Sequence, residues 1–456
     1  MKHETKKELA EIVGHGNATD SLEHLVAYSY DAYTEEHLPD IVLFPATTNE
    51  VSAIMKVAYR ENIPVTPRGA GTNLAGESVP ARGGIVVCLT KMDRILSIDA
   101  ASLVATVQPG VINLDFQREV EKQGMMYPPD PASWAVATMG GTVATNAGGP
   151  RTLKYGVTKD YVLGLTVVLA NGDVLKMGGR TLKNVTGYNL TTLMCGSEGT
   201  LAIITEIIVR LIPKAPGSRT VRADFGKLED CSDAVAAIMA GGSVPAALEL
   251  MDQFVVKAVE KSFNLGLATD VEGVLLIQLD GNLETLEREV TQIENCLRKK
   301  NARNIIVAED SAESEKLWLA RRAAGPALMR RRPNIITEDV TVPVSKLTAM
   351  IRKVMEIGER HRIEVGILAH AGDGNLHPCI VFDRRNEDEY KRVQAFCEDL
   401  VPEALALGGT LSGEHGIGIA KAPFLHFEMD QVALWVMQGI KTFFDPKGIL
   451  NPGKFV

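Results

Sequence analysis

Cysteine is scarce and unpatterned in this chain. Six cysteines, Cys88, Cys195, Cys231, Cys296, Cys379 and Cys397, are spread over 456 residues, and no two form a C-x-x-C pair. That spacing argues against an iron–sulfur cluster or a zinc knuckle. It fits a reducing cytoplasm better than a disulfide framework. Long apolar runs are also absent: no stretch of about 18 apolar residues exists, so no segment reads as a membrane span, and only peripheral membrane docking stays open. The opening Met1-Lys2-His3-Glu4-Thr5-Lys6-Lys7-Glu8 lacks the apolar core of a secretion signal and the acid-poor character of a transit peptide. A cytoplasmic location is the resulting expectation. No Lys/Arg run suggests a basic patch, and the formal net charge is -9, which argues against a nucleic-acid surface.

What is present is an ordinary globular composition, 45% hydrophobic and 23% charged, in a chain long enough for two to three domains. The first third reads as β/α with much glycine. Residues 41–44, 63–66, 84–89 and 103–108 read as strands, and 48–62 has helical spacing. Residues 161–170 and 174–177, joined by Asn171-Gly172-Asp173, read as a hairpin with a type I′ turn. A β-rich run over 202–212 ends at Pro213-Lys214-Ala215-Pro216-Gly217, a linker signal. Beyond it, strands and helices alternate up to His370, which predicts a helix-covered, ferredoxin-like sheet. A terminal helix over 431–444 is stopped by Asp445-Pro446-Lys447-Gly448. The expected division is 1–213 (with a helical lead-in over 1–30), 214–410, and a returning segment 411–456.

Glycine is concentrated where chemistry could use it. The loop Pro67-Arg68-Gly69-Ala70-Gly71-Thr72-Asn73-Leu74-Ala75-Gly76 follows a strand and lets backbone N–H groups approach a ligand. It matches neither the P-loop nor the G-x-G-x-x-G fingerprint, and alone it is as readily a plain turn. The segment from Thr138 to Gly149 is small and rich in donors, and buries too little apolar area to be core. A backbone cradle for a flat aromatic cofactor explains it better. Lys183–Asn189, Gly196–Thr200 and Asn451-Pro452-Gly453-Lys454 are further segments of this kind.

Histidine is concentrated too. His370 ends an apolar strand, Gly372-Asp373-Gly374-Asn375 reads as a turn, and His377 opens the next strand. A tight hairpin brings both imidazoles to one point. Glu414, inside Ser412-Gly413-Glu414-His415-Gly416, is the best carboxylate to complete a His₂Glu set with an open position. A single histidine is more often a hydrogen-bonded residue than a ligand. Two across a Gly-Asp-Gly turn, with Glu-His between glycines, reverse that preference.

Six ordered motifs, at 67–72, 140–149, 196–201, 370–377, 413–418 and 451–454, resemble the FAD-linked oxidase family, over roughly 30–456. That family includes glycolate oxidase FAD subunits, D-lactate dehydrogenases and D-2-hydroxyglutarate dehydrogenases. The resemblance implies an α+β protein with a vanillyl-alcohol-oxidase-type FAD-binding domain and a ferredoxin-like α/β cap domain. It implies FAD contacts from Pro67, Arg68, Gly69, Ala70, Gly71, Thr72, Asn73 and Gly76 in the first loop. Pro131, Thr138, Gly140, Gly141, Thr142, Thr145, Asn146, Gly148 and Gly149 follow in the second segment, with Tyr155, Glu198, Gly199, Ile203 and Asn451 after them. Neither 67–76 nor 138–149 contains His or Cys, so the FAD is expected to be noncovalent.

The resemblance also implies a divalent metal on His370, His377 and Glu414, with Zn the first expectation and Mn or Fe alternatives. It implies His415 as the base that takes the substrate hydroxyl proton, and Arg321 as the arginine for a substrate carboxylate. The expected reaction is oxidation of a small 2-hydroxy acid such as glycolate or D-lactate. Glu338 and Cys379 stand where the 2-hydroxyglutarate enzymes carry lysine and asparagine, and a glutamate there disfavours a second substrate carboxylate. Electrons are expected to leave to an iron–sulfur subunit, a quinone or another soluble acceptor. The alternatives are a non-redox flavin transferase of the same superfamily and an FAD-binding subunit inactive alone.

Overall fold

The computed structural model describes residues 1–455. The chain divides into two compact units. The first comprises 1–148, 157–214 and the segment from Glu414 onward; the second comprises 149–156 and 215–413. The excursion at 149–156 is a feature that a simple cut at the Pro213–Gly217 linker does not contain.

The first unit holds two sheets. In the four-stranded sheet, Ile41–Leu43 and Val65–Arg68 flank Ile85–Cys88 in parallel, and Ala18–Thr19 pairs antiparallel at the edge. Helix Thr48–Glu61 covers it through Val51, Ile54, Met55 and Ala58, which recur at helical spacing and are fully buried. Thr47 caps the helix by accepting from Glu50 N, and Asn62 ends it in the left-handed region. The five-stranded antiparallel sheet has the order Ile95–Asp99, Val104–Val107, Ile203–Arg210, Val162–Val168, Val174–Gly178. Its Val168 and Ile203, with Ala170 from the loop after Val162–Val168, join the core of the first sheet. The C-terminal stretch returns into that core: Val65 N donates to Ile449 O, and Asn451 N donates to Val65 O.

Two local expectations differ from the structure. In the loop that joins the two strands of the hairpin over 162–178, only Gly172 has positive φ, Gly172 N donates to Leu169 O, and Leu169 N donates to Asp173 O. That is a three-residue loop with glycine in the left-handed position, whereas a type I′ turn needs two such residues. The segment 138–149, read as a backbone cradle, contains a short helix, Met139–Thr145. Thr138 caps it by accepting from Gly141 N, and Met139 and Val143, four apart, anchor it in the core.

The second unit is built on one antiparallel sheet. Its first four strands, Gly217–Phe225, Ala247–Asp252, Gly273–Gly281 and Ala302–Val307, lie in the order fourth, first, third, second. This is a ferredoxin-like arrangement, with helix Gln253–Phe263 added between the second and third strands. The sheet continues through Val365–His370, Asn375–Phe382 and Asn334–Thr337. Alternation along the strands sorts the two faces. Leu248, Leu250, Ile367, Ala369, Ile380 and Phe382 pack under four helices, Leu228–Ala240, Leu283–Lys299, Leu347–His361 and Glu387–Ala406. Met251, Leu368, Cys379 and Val381 face the other way, against Gln253–Phe263, Ser311–Arg322 and Ala324–Met329.

Candidate active site

In the first unit, the loop after Val65–Arg68 and the capped helix Met139–Thr145 border one cleft. Its larger cavity, about 330 Å³, is lined by Gly69, Ala70, Gly71, Thr72, Asn73, Pro131, Thr138, Gly141, Thr142, Thr145 and Gly148, with Glu414 and His415 also on the wall. A smaller cavity of about 50 Å³ shares Gly69, Asn73, Thr138, Gly141 and Thr145, and adds Pro67, Arg68, Glu77, Gly140, Glu198, Gly199 and Ile204. Several glycines here serve the protein's own packing. A Cβ at Gly69 would meet Thr138, one at Gly140 would meet Pro109, and one at Gly199 would meet Pro67.

The remaining expected cofactor residues lie elsewhere. Ile203 is fully buried in the sheet core, and strand alternation turns its neighbour Ile204 to the cleft. Gly76 and Asn146 line neither cavity; Asn146 accepts from Lys159 N through its side chain. Asn451 is buried and donates from Nδ2 to the carbonyls of Glu77 and Glu198. Gly149 and Tyr155 fall in the second unit, where Tyr155 Oη donates to Asp280 at 2.7 Å.

Ionisable side chains are buried at the cleft floor. Arg68, 7% exposed, donates to Tyr30 O at 2.7 Å and stacks over the Tyr28 ring; burial lowers its pKa. Glu198 accepts from Ile417 N at 2.6 Å and Gly418 N at 2.9 Å, and burial pushes its carboxyl up to about 7. Burial, and then the charge of Glu198, push Glu77 well above the usual carboxylate range. Its buried Oε1 has no hydrogen-bond partner. An unmet polar atom on a cleft wall is capacity that a polar ligand can answer, so these residues fit a bound dinucleotide. Lys454 lies close by, donating to Val79 O, with its pKa lowered by burial to about 8.

In the second unit, register does the assembling. Glu249 pairs directly with His370, Met251 with Leu368, and Leu368 with His377. Glu249, His370, His377 and Cys379 thus project from one sheet face. The His370 and His377 rings stand 5.0 Å apart at 87°, with ring nitrogens within 4.8 Å of one another. His370 Nδ1 meets Glu249 Oε1 at 2.7 Å, and Arg321 Nε donates to Glu249 Oε2 at 2.7 Å. Burial raises the Glu249 carboxyl, but its electrostatic and hydrogen-bond interactions with His370 and Arg321 outweigh it and hold the group below its usual range. Arg321 comes from the last turn of Ser311–Arg322, and its side chain is 13% exposed. Arg322, by contrast, pairs with Glu315 at the surface.

Asp339 is fully buried beside this group. Its Oδ2 accepts from Ser412 Oγ at 2.8 Å and Gly413 N at 2.9 Å, and its Oδ1 lies 3.8 Å from His377 Nδ1. Glu338 N donates to Pro378 O, so Glu338 also sits along the His377 strand. Cys379 is buried, and desolvation raises its thiol to about 12. In the chemistry of the donor set, two imidazoles presenting nitrogens to one point fit a divalent metal.

Glu77, Glu249 and Asp339 were missed in the sequence. Glu249 left a signal, a lone charge inside the apolar strand Ala246-Ala247-Leu248-Glu249-Leu250-Met251, which must be paired if buried.

A cleft under glycine loops in one unit, and a buried His–Glu–Arg group in the other, define a flavoprotein of the vanillyl-alcohol-oxidase fold. The fold is that of p-cresol methylhydroxylase, matched with a TM-score of 0.82 at 19% identity over 99% of this chain and 96% of that one. Residues 39–178 match the FAD binding domain model, and 214–455 match "FAD linked oxidases, C-terminal domain". The chain is 44% identical to glycolate oxidase subunit GlcD of Bacillus subtilis, over 99% of this chain and 96% of that protein. It is 38% identical to D-lactate dehydrogenase of Anaerostipes hadrus, over 91% of this chain and 89% of that protein. The chain belongs to the FAD-linked oxidase family and is an FAD-dependent oxidoreductase. Among the described residues, no helix is long and apolar enough to cross a membrane.

Proposed function

We propose that this protein oxidises a small 2-hydroxy monocarboxylate, glycolate or D-lactate, to the 2-oxo acid. The observation that carries the reading is Arg321. It is mostly buried, its Nε is taken by Glu249, and its terminal nitrogens make no hydrogen bond among the described residues. A guanidinium held this way offers an open fork to a carboxylate. His370 and His377, with Glu414, would hold a divalent metal, zinc by ligand type. Glu414 follows Gly413 directly, and the Gly413 amide is fastened by Asp339. When bound, FAD supplies a hydride acceptor and the metal a Lewis acid.

The chain's own residues do the rest. Arg321 holds the carboxylate, and His415, as neutral imidazole, takes the hydroxyl proton. Glu338 and Cys379, where the 2-hydroxyglutarate enzymes carry lysine and asparagine, favour a substrate with a single carboxylate. The relatives called glycolate oxidase subunit GlcD support a partner protein. Electrons would then pass to an iron–sulfur subunit or a quinone, from a protein located in the cytoplasm.

Anaerobic absorbance of the bound flavin tests the reading, using glycolate, D- and L-lactate and D-2-hydroxyglutarate before and after chelation. The expected result is bleaching by glycolate or D-lactate and its loss on chelation. A yellow protein that no acid bleaches would overturn the proposal.

A further inference from the structure

The carboxylate of Glu249 lies between two side chains to which the proposed function gives different tasks. It is 1% exposed, sits mid-strand in the second unit, and touches both at 2.7 Å: His370 through Oε1 and Arg321 through Oε2. We infer that Glu249 is a shared positioning residue, which sets the tautomer of His370 and the orientation of the Arg321 fork together.

The chemistry is restrictive. An ionised carboxylate only accepts, so His370 must carry its proton on Nδ1, which leaves Nε2 with its lone pair for a metal. A carboxylate behind a ligating histidine fixes ring orientation and raises ligand basicity. The other oxygen takes Arg321 Nε, the one guanidinium nitrogen that cannot join a fork made by the two terminal nitrogens. Glu249 thereby points the fork without occupying it. Cross-strand pairing of Glu249 with His370, and the anchoring of Arg321 in the last turn of Ser311–Arg322, keep both partners on rigid elements. One carboxylate thus couples the metal-ligand side of the site to the carboxylate-binding side.

The inference rests on the proposed roles of His370 and Arg321, and the test separates the two. The probes are zinc affinity, by competition with a chromophoric chelator on the full-length flavoprotein, and KM and kcat for glycolate and D-lactate. Glu249→Gln keeps the shape but cannot accept from both neighbours. The expected result is zinc affinity lower by roughly 10- to 100-fold and KM higher by on the order of tenfold, with unchanged flavin content. Arg321→Met should raise KM without weakening zinc, and His370→Asn should weaken zinc. Should Glu249→Gln fail to fold, the double variant Glu249→Met with Arg321→Met removes the buried pair together. Its zinc affinity should fall below that of Arg321→Met alone. If the His370 and Arg321 variants behave as expected and neither Glu249 variant weakens zinc, the shared role is wrong. If the His370 and Arg321 variants have no such effects, the reading of the site itself fails.

Discussion

His415 and Glu198 occupy the same unit but ask for different measurements. His415 lines the cleft as the proposed base, so His415→Asn should lower kcat by about 10²- to 10⁴-fold while flavin stays bound. An unchanged kcat in that variant would remove His415 from the chemistry. Glu198 is a matter of stability. Its folded carboxyl titrates near 7, against an ordinary value of 4.5, because burial penalises the charge. The folded state therefore binds more protons than the unfolded chain between pH 4.5 and 7. Glu198's contribution is full below 4.5 and is lost as pH rises through 7. Glu198→Gln cannot ionise, so unfolding across pH 5–8 should show a shallower decline than wild type. The difference should reach on the order of 3 kcal/mol. Parallel curves for the two proteins would show that the ionisation of Glu198 is not what costs stability.

At the scale of elements, the loop 413–418 brings the most constraints together. Gly413 N is held by Asp339, while Ile417 N and Gly418 N are held by Glu198. Between them Gly416 has φ +91, and a Cβ there would press on the carboxylates of Glu77 and Glu198. Gly416→Ala should cost about 1–3 kcal/mol of backbone strain, before any clash, and lower Tm by several degrees. A Tm equal to wild type would show that the loop relaxes freely. Much of this scale was legible. Helical spacing over 48–62 and 431–444 corresponds to helices Thr48–Glu61 and Gln431–Phe444, because amphipathic repeats and stop signals act locally. The 138–149 segment was misread because its glycine content masked a helix held by one cap and two buried anchors, Met139 and Val143. The turn at 171–173 was misread because Asn-Gly permits two hairpin geometries and strand register chooses between them.

The whole molecule carries the remaining expectations. Of the residues lining the two cavities, His415 is the only histidine and none is cysteine. With His415 assigned to proton transfer, the flavin should be noncovalent, and acid precipitation should leave the yellow colour in the supernatant. Colour retained in the pellet would place a covalent link in the cleft. If electrons leave to a partner, the isolated chain should reduce a dye acceptor quickly and form peroxide slowly under air. Rapid, stoichiometric peroxide would instead make oxygen the acceptor.

Six ordered motifs in the amino-acid sequence were enough to indicate the family, the cofactor and the histidine hairpin. Glycine loops, turns and short-range spacings write their geometry into adjacent residues. The partnerships that turn these motifs into a site were decided by tertiary structure alone. Glu249 meets His370 across 121 positions of chain and Arg321 across 72; Glu198 meets Ile417 and Gly418 across about 220. Nothing local encodes those pairings. Strand register and burial make them, since a charge removed from water must find whatever partner the fold brings to it.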